Sequence, residues 1–217
     1  MELRIAEKYL FQKRKIPTEY QYNMSHFRKT ITKDEIRDLP LRSFDEEIYM
    51  FEGDEDPREA IRYLNNQNIL GFDTETKPSF RKGKRNTVAL LQLSTADKAF
   101  LFRLNKIGFP NYLVEILSNE KIIKVGAAIR DDIKALQEIG RFEPKGFVDL
   151  QTFVKKFDIE NFGLKNLAAI VLNIRISKSK QLSNWEADEL GLPQQKYAAT
   201  DAWVSYEIYK ELVDKDF

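Results

Sequence analysis

Three short apolar segments in succession constrain the fold most: NILGFDTET from Asn68, TVALLQLST from Thr87 and KAFLFRL from Lys98. Each is strand-like in length and bounded by polar or basic connectors, the pattern of a sheet built by successive pairing, so the spacing predicts a meander. Downstream the chain alternates: helical NYLVEILSN, then IIKVGAAI, DDIKALQEIG, FVDLQTFVKKF, LKNLAAIVLNI and a long C-terminal QQKYAATDAWVSYEIYKELVDK. Such a mixture of strand and helix favours an α/β domain, a mixed sheet flanked by helices. Upstream, EIYMFEG reads as a strand from Glu47, and Pro57 opens a helix at a first-turn position that tolerates proline. Residues 1 to about 40 have no sustained period, hold Lys13-Arg14-Lys15 and Arg28-Lys29, and end at Leu39-Pro40. This divides the chain into an N-terminal extension, 1–46, and one domain, 47–217.

Composition removes whole mechanisms. The 217 residues are 42% hydrophobic and 32% charged, a soluble globular balance for one domain, and no run approaches the roughly 20 apolar residues that cross a bilayer. We read no signal peptide and no anchor. There is no cysteine, hence no disulfide framework, thiolate nucleophile or zinc-thiolate site, and the chain suits a reducing, cytoplasmic setting. The single histidine, His26, lies in the extension, which excludes a Ser-His-Asp triad, a poly-histidine metal site and an H-E-x-x-H protease. Proton transfer or metal binding must rest on carboxylates, tyrosine or lysine. The net charge of +1 says nothing of a polyanionic partner, although Arg81, Lys82, Lys84 and Arg85 form a compact basic run; alone, such a run is a solvated surface.

In Leu70–Glu75 the strand period puts Asp73 and Glu75 on one face and Leu70, Phe72 and Thr74 on the other. Two like charges so close suit a hard divalent cation between them, although an isolated D-x-E is more often a polar strand end facing water. Tyr197 and Asp201, one helical turn apart, share a face; alone, such a pair is more often a half-buried core tyrosine with its hydroxyl capped. In VGAAIRDD a small-residue strand leads to an acidic doublet at a helix start, where we expect at least one of Asp131 and Asp132 to be an N-cap; local chemistry does not choose between them.

Taken together, FDTET, VGAAIRDD and YAATD resemble, in order and spacing, the DEDDy 3′-5′ exonucleases, especially the Werner-syndrome-type exonuclease domain and RNase D. The resemblance covers roughly residues 47 to 214 and extends through TKPSFRKGKRNTVALLQLST and LSNWEADELGLPQQKYAATDA. It implies a ribonuclease H-like (DnaQ-like) fold. It also implies that Asp73, Glu75, Asp132 and Asp201 carry two Mg²⁺ ions, replaceable by Mn²⁺, and that Tyr197 positions the attacking water. The sister class has histidine five residues before its last acid; here that position is Lys196, which puts the chain on the tyrosine side. The motif departs from its usual glycine-rich form in reading GAA with Asp131 beside Asp132.

The implied reaction hydrolyses the terminal phosphodiester of a single-stranded 3′ end or overhang, RNA or DNA, to nucleoside 5′-monophosphates. Thr74, Phe80, Arg81, Lys82, Lys84, Arg85 and Trp185 are the candidate substrate contacts, with core packing an equal reading for Trp185 and loop packing for Phe80. Two rivals remain, a catalytically weak or inactive nucleic-acid-binding module on the same fold, and a phosphatase-type metal hydrolase. The exonuclease expectation fails if the four acids lie apart, or if a lysine or arginine already neutralises them.

Overall fold

The computed structural model describes residues 27–79 and 86–215. Six strands form one sheet in the order β1-β4-β3-β2-β5-β6: β1 Glu47–Phe51, β2 Ile69–Thr76, β3 Val88–Ser94, β4 Lys98–Phe102, β5 Ile123–Gly126 and β6 Phe147–Asp149. The expected meander is present, with β2–β3 and β3–β4 antiparallel, while β1–β4, β2–β5 and β5–β6 are parallel. β3 is buried along its whole length, which is why VALLQLS reads as a continuous apolar run instead of an alternating one.

One sheet face carries Leu70, Phe72, Leu91, Leu93, Phe100 and Phe102. It packs beneath α2 (Arg58–Asn65), α4 (Asn111–Ser118) and α5 (Arg130–Ile139), with the short helix α3 (Leu104–Ile107) at its margin. Against the other face lies α8 (Leu192–Asp214), 23 residues long, backed by α7 (Leu164–Leu172); α6 (Leu150–Phe153) follows β6 directly. Gly71 sets how closely α8 approaches. It lies on the α8 side of β2, and a Cβ there would run into the Ala202 carbonyl, so only glycine lets strand and helix meet.

The described residues ahead of β1 pack on the helices that cover the sheet. A short helix, α1 (Lys33–Asp38), starts at Thr32 in a capping box with Glu35. Beyond it Arg42 N–H donates to the Arg175 carbonyl (2.9 Å) and Phe44 N–H to Thr200 Oγ1 (2.9 Å), while the Phe44 ring is buried against α8. No regular period announced these anchors. Among the described residues no helix is long and apolar enough to cross a membrane.

Candidate active site

The site forms where β2 leaves the sheet beneath α8. Alternation keeps Gly71, Asp73 and Glu75 on the α8 side. The glycine brings the helix down at Ala202, so Asp201, its neighbour, lies over the two acids. Ligand oxygens of Asp73, Glu75 and Asp201 all lie within 4.8 Å of one another. They border a concavity of about 260 Å³ whose wall includes Tyr197, Ala128, Gln181 and Lys178.

Asp132 arrives from the opposite face, on α5. Its Oδ1 accepts a 2.5 Å hydrogen bond from the hydroxyl of Thr74, the β2 residue that alternation turns away from Asp73 and Glu75. Its charge is near enough to raise the proton affinity of both those acids, yet its carboxylate is not part of the compact trio. Asp131 points outward, its side chain 91% exposed and 3.6 Å from Lys134, so of the doublet it is Asp132 that faces inward. Neither caps the helix: Ile129 is the N-cap with no side-chain bond, and both acids lie in the first turn, where a carboxylate still gains from the helix dipole. The expected N-cap is thus corrected.

Burial and mutual repulsion dominate the electrostatics. Glu75 is pushed up to about 9, first by burial and then by Asp73 and Asp201. Asp73 is raised well above the usual carboxylate range by burial, then by Asp201 and Asp132. Burial raises Asp201 too, against the pull of Lys178, and raises Asp132 against the Thr74 hydrogen bond. Burial beside Asp201 and Glu75 keeps the Tyr197 phenol protonated far above neutral pH.

Sequence reasoning missed Lys178. Its Nζ donates to Asp201 Oδ2 at 3.2 Å and lies 5.6 Å from the Tyr197 ring centroid. One ammonium against these carboxylates does not neutralise them, as the raised Asp73 and Glu75 show. Asp201 Oδ1, meanwhile, is buried and meets no donor at hydrogen-bonding geometry among the described residues, although the Tyr197 hydroxyl is near enough to pull the Asp201 carboxyl downward. An acceptor-only oxygen left bare inside a cluster of acids matches what an all-oxygen divalent cation requires, so the residues present fit Mg²⁺ or Mn²⁺.

Thr74 is committed to Asp132. Trp185 is fully buried with its ring 6.0 Å from Tyr197, so it supports the tyrosine from beneath instead of lining the surface a substrate would touch. The segment carrying it is held by Arg103, itself fully buried, which donates to the Asp188 carbonyl (2.8 Å), the Ala187 carbonyl and Glu52 (3.0 Å). Phe80, Arg81, Lys82, Lys84 and Arg85, like His26, lie outside the described residues.

A mixed sheet crossed by one long helix, with carboxylates gathered where that helix meets a central strand, is a ribonuclease H-like fold carrying an acidic site. Residues 48–215 match the family model described as 3′-5′ exonuclease, and the chain belongs to that family. It is 33% identical over 162 residues to the mouse bifunctional 3′-5′ exonuclease/ATP-dependent helicase WRN, an alignment covering 69% of this chain and 11% of that protein. The Aedes aegypti Nibbler EXO domain superposes with a TM-score of 0.71 at 24% identity over 80% of this chain and 92% of that one. Escherichia coli RNase D gives 0.69 at 21% identity over 78% and 45%. These two likenesses establish the ribonuclease H-like fold. The chain thus spans a small part of the curated relative's length.

Proposed function

We propose that this chain is a metal-dependent 3′-5′ exonuclease that shortens single-stranded RNA or DNA ends and releases nucleoside 5′-monophosphates. One observation carries the reading: three carboxylates gathered within 4.8 Å, one of their oxygens bare, beside a protonated phenol. Asp73, Glu75 and Asp201 would hold one divalent cation, and Asp132, steadied by Thr74, would serve a second. Bound there, Mg²⁺ or Mn²⁺ would acidify water and neutralise charge developing on the phosphate. Tyr197 cannot act as a base near neutral pH; its hydroxyl donates a hydrogen bond and orients the attacking water. Trp185 fixes the ring from below, and Lys178 supplies a positive charge that a phosphate can share with Asp201. Arg81, Lys82, Lys84 and Arg85 follow β2 closely in the chain and would grip the substrate backbone, with Phe80 available to stack on a base. A cysteine-free chain acting on nucleic acid suits the cytoplasm.

The test is a time course on RNA and DNA strands labelled at either end, with Mg²⁺, Mn²⁺ or chelator. We expect mononucleotide release from the 3′ end, abolished by chelator and reduced at least roughly 100-fold by Asp73→Ala. Digestion that ignores chelator, or full activity in that variant, would overturn the reading. Strand binding without shortening would establish the inactive binding module instead.

A further inference from the structure

A second concavity, of about 240 Å³, lies back to back with the carboxylate pocket and shares Tyr197 with it. The dividing wall is the segment after Ile176. Ser177, Ser179 and Lys180 line the second concavity, whereas Lys178 and Gln181 line the first, so neighbouring side chains serve opposite sides. Arg42 and Asp45, from the chain ahead of β1, form the far wall. They are held in place by the Arg42–Arg175 and Phe44–Thr200 hydrogen bonds and by a 2.8 Å ion pair between Lys196 and Asp45.

The charge balance of this concavity is incomplete. Among the described residues, of its three cations only Lys196 has a carboxylate within ion-pair distance; Arg42 and Lys180 make no ion pair and no side-chain hydrogen bond, and Arg42 reaches Asp45 only as a more distant charge. Two cations without an ion pair border one hollow with the Ser179 hydroxyl, which accepts from Ser177 Oγ at 3.0 Å and keeps its own hydrogen to donate; this is the chemistry that receives phosphodiester oxygens, by point charge from lysine and by a planar fork from arginine.

We propose that this hollow is a backbone subsite for the strand being shortened, taking phosphates on the 5′ side of the nucleotide that occupies the carboxylate pocket. The inference rests on the proposed exonuclease function and adds to it a track that the strand follows over α8, walled on one side by residues 41–45. The subsite contributes grip and not chemistry, so its loss is felt by long strands and not by a substrate of one nucleotide.

The test is the double substitution Arg42→Glu/Lys180→Glu, with two readouts. The first is binding of a fluorescent single-stranded 12-mer in chelator, by anisotropy, across a salt series. The second is hydrolysis of the p-nitrophenyl ester of thymidine 5′-monophosphate, which needs only the carboxylate pocket. We expect 12-mer affinity to fall on the order of tenfold and the log–log salt slope to become shallower by about 1.4, as for two lost phosphate contacts on a single strand, with ester hydrolysis unchanged. Unchanged affinity and slope would overturn the subsite, as would a loss seen only with a partial duplex, which would assign the hollow to the complementary strand. A parallel collapse of ester hydrolysis would overturn its separateness from the centre. If the unsubstituted chain cleaves neither strand nor ester while the variant still binds more weakly, the exonuclease reading fails and the subsite stands.

Discussion

Ala128 is the residue whose backbone is most at odds with its side chain. Its φ of 64° lies in the left-handed region, and it lines the carboxylate pocket between β5 and α5. An alanine there carries a cost of about 1 kcal/mol that glycine would avoid. The 3.1 Å hydrogen bond from Ala128 N–H to Asp149 Oδ1 helps to hold the strained turn. We therefore expect Ala128→Gly to raise stability by about 0.5–1 kcal/mol in urea unfolding; a loss of stability would show that the turn is not strained. At this scale the sequence spoke most clearly where periodicity decides direction: Asp73 with Glu75, and Tyr197 with Asp201. It was silent on Lys178, because nothing local separates that lysine from Lys180 two residues on; only the fold turns one towards Asp201 and the other into the neighbouring hollow. The doublet was legible only through family resemblance, since both aspartates occupy the same helical turn and differ in which way they face.

Among elements, the meeting of β2 and α8 matters most, because it alone brings Asp201 over Asp73 and Glu75. Gly71→Ala would push its methyl into the Ala202 carbonyl, a backbone atom that cannot rotate aside. The expected cost is about 3 kcal/mol or more, read as a lower urea midpoint, with Mn²⁺ affinity weakened beyond what the stability loss explains. A midpoint within experimental error of the unsubstituted chain would show that the helix can lift without consequence. The meander and the long last helix were readable because apolar spacing fixes element type over such lengths. Gly71 was not, since its importance lies in a partner some 130 positions away in the chain. The N-cap expectation for α5 failed for a related reason: the turn after Gly126 starts the helix at Arg130, which moves both aspartates inside it.

For the whole molecule, the raised carboxylates make stability depend on pH with a definite sign. Glu75 titrates near 9 when folded and near 4.5 when unfolded, and Asp73, Asp132 and Asp201 are shifted the same way. Without metal, the unfolded chain therefore holds fewer protons than the folded one between these values, and stability falls as pH rises. Lys124, buried and lowered to about 8, contributes the opposite slope only from there upward, so the raised acids set the slope between pH 5 and 8, with Glu207 on α8, raised by its own burial, adding to the clustered ones. In chelator the melting temperature should drop across that range; with saturating Mg²⁺ the drop should shrink, because the cation binds the deprotonated form. A chelated melting curve indifferent to pH would contradict the clustering of charge. The sheet and the convergence of acids were thus largely legible, whereas the contribution of residues 27–46 was not, since their anchors are single side chains and backbone bonds without a period. Phe44 fills a niche formed with Ala99 and Ala199, and its N–H occupies the Thr200 hydroxyl, one residue before Asp201. An excised fragment beginning at Glu47 would bare that niche on the helix that carries the last acid, so trimming to the apparent edge of the sheet would loosen the acid-bearing end of the molecule from behind.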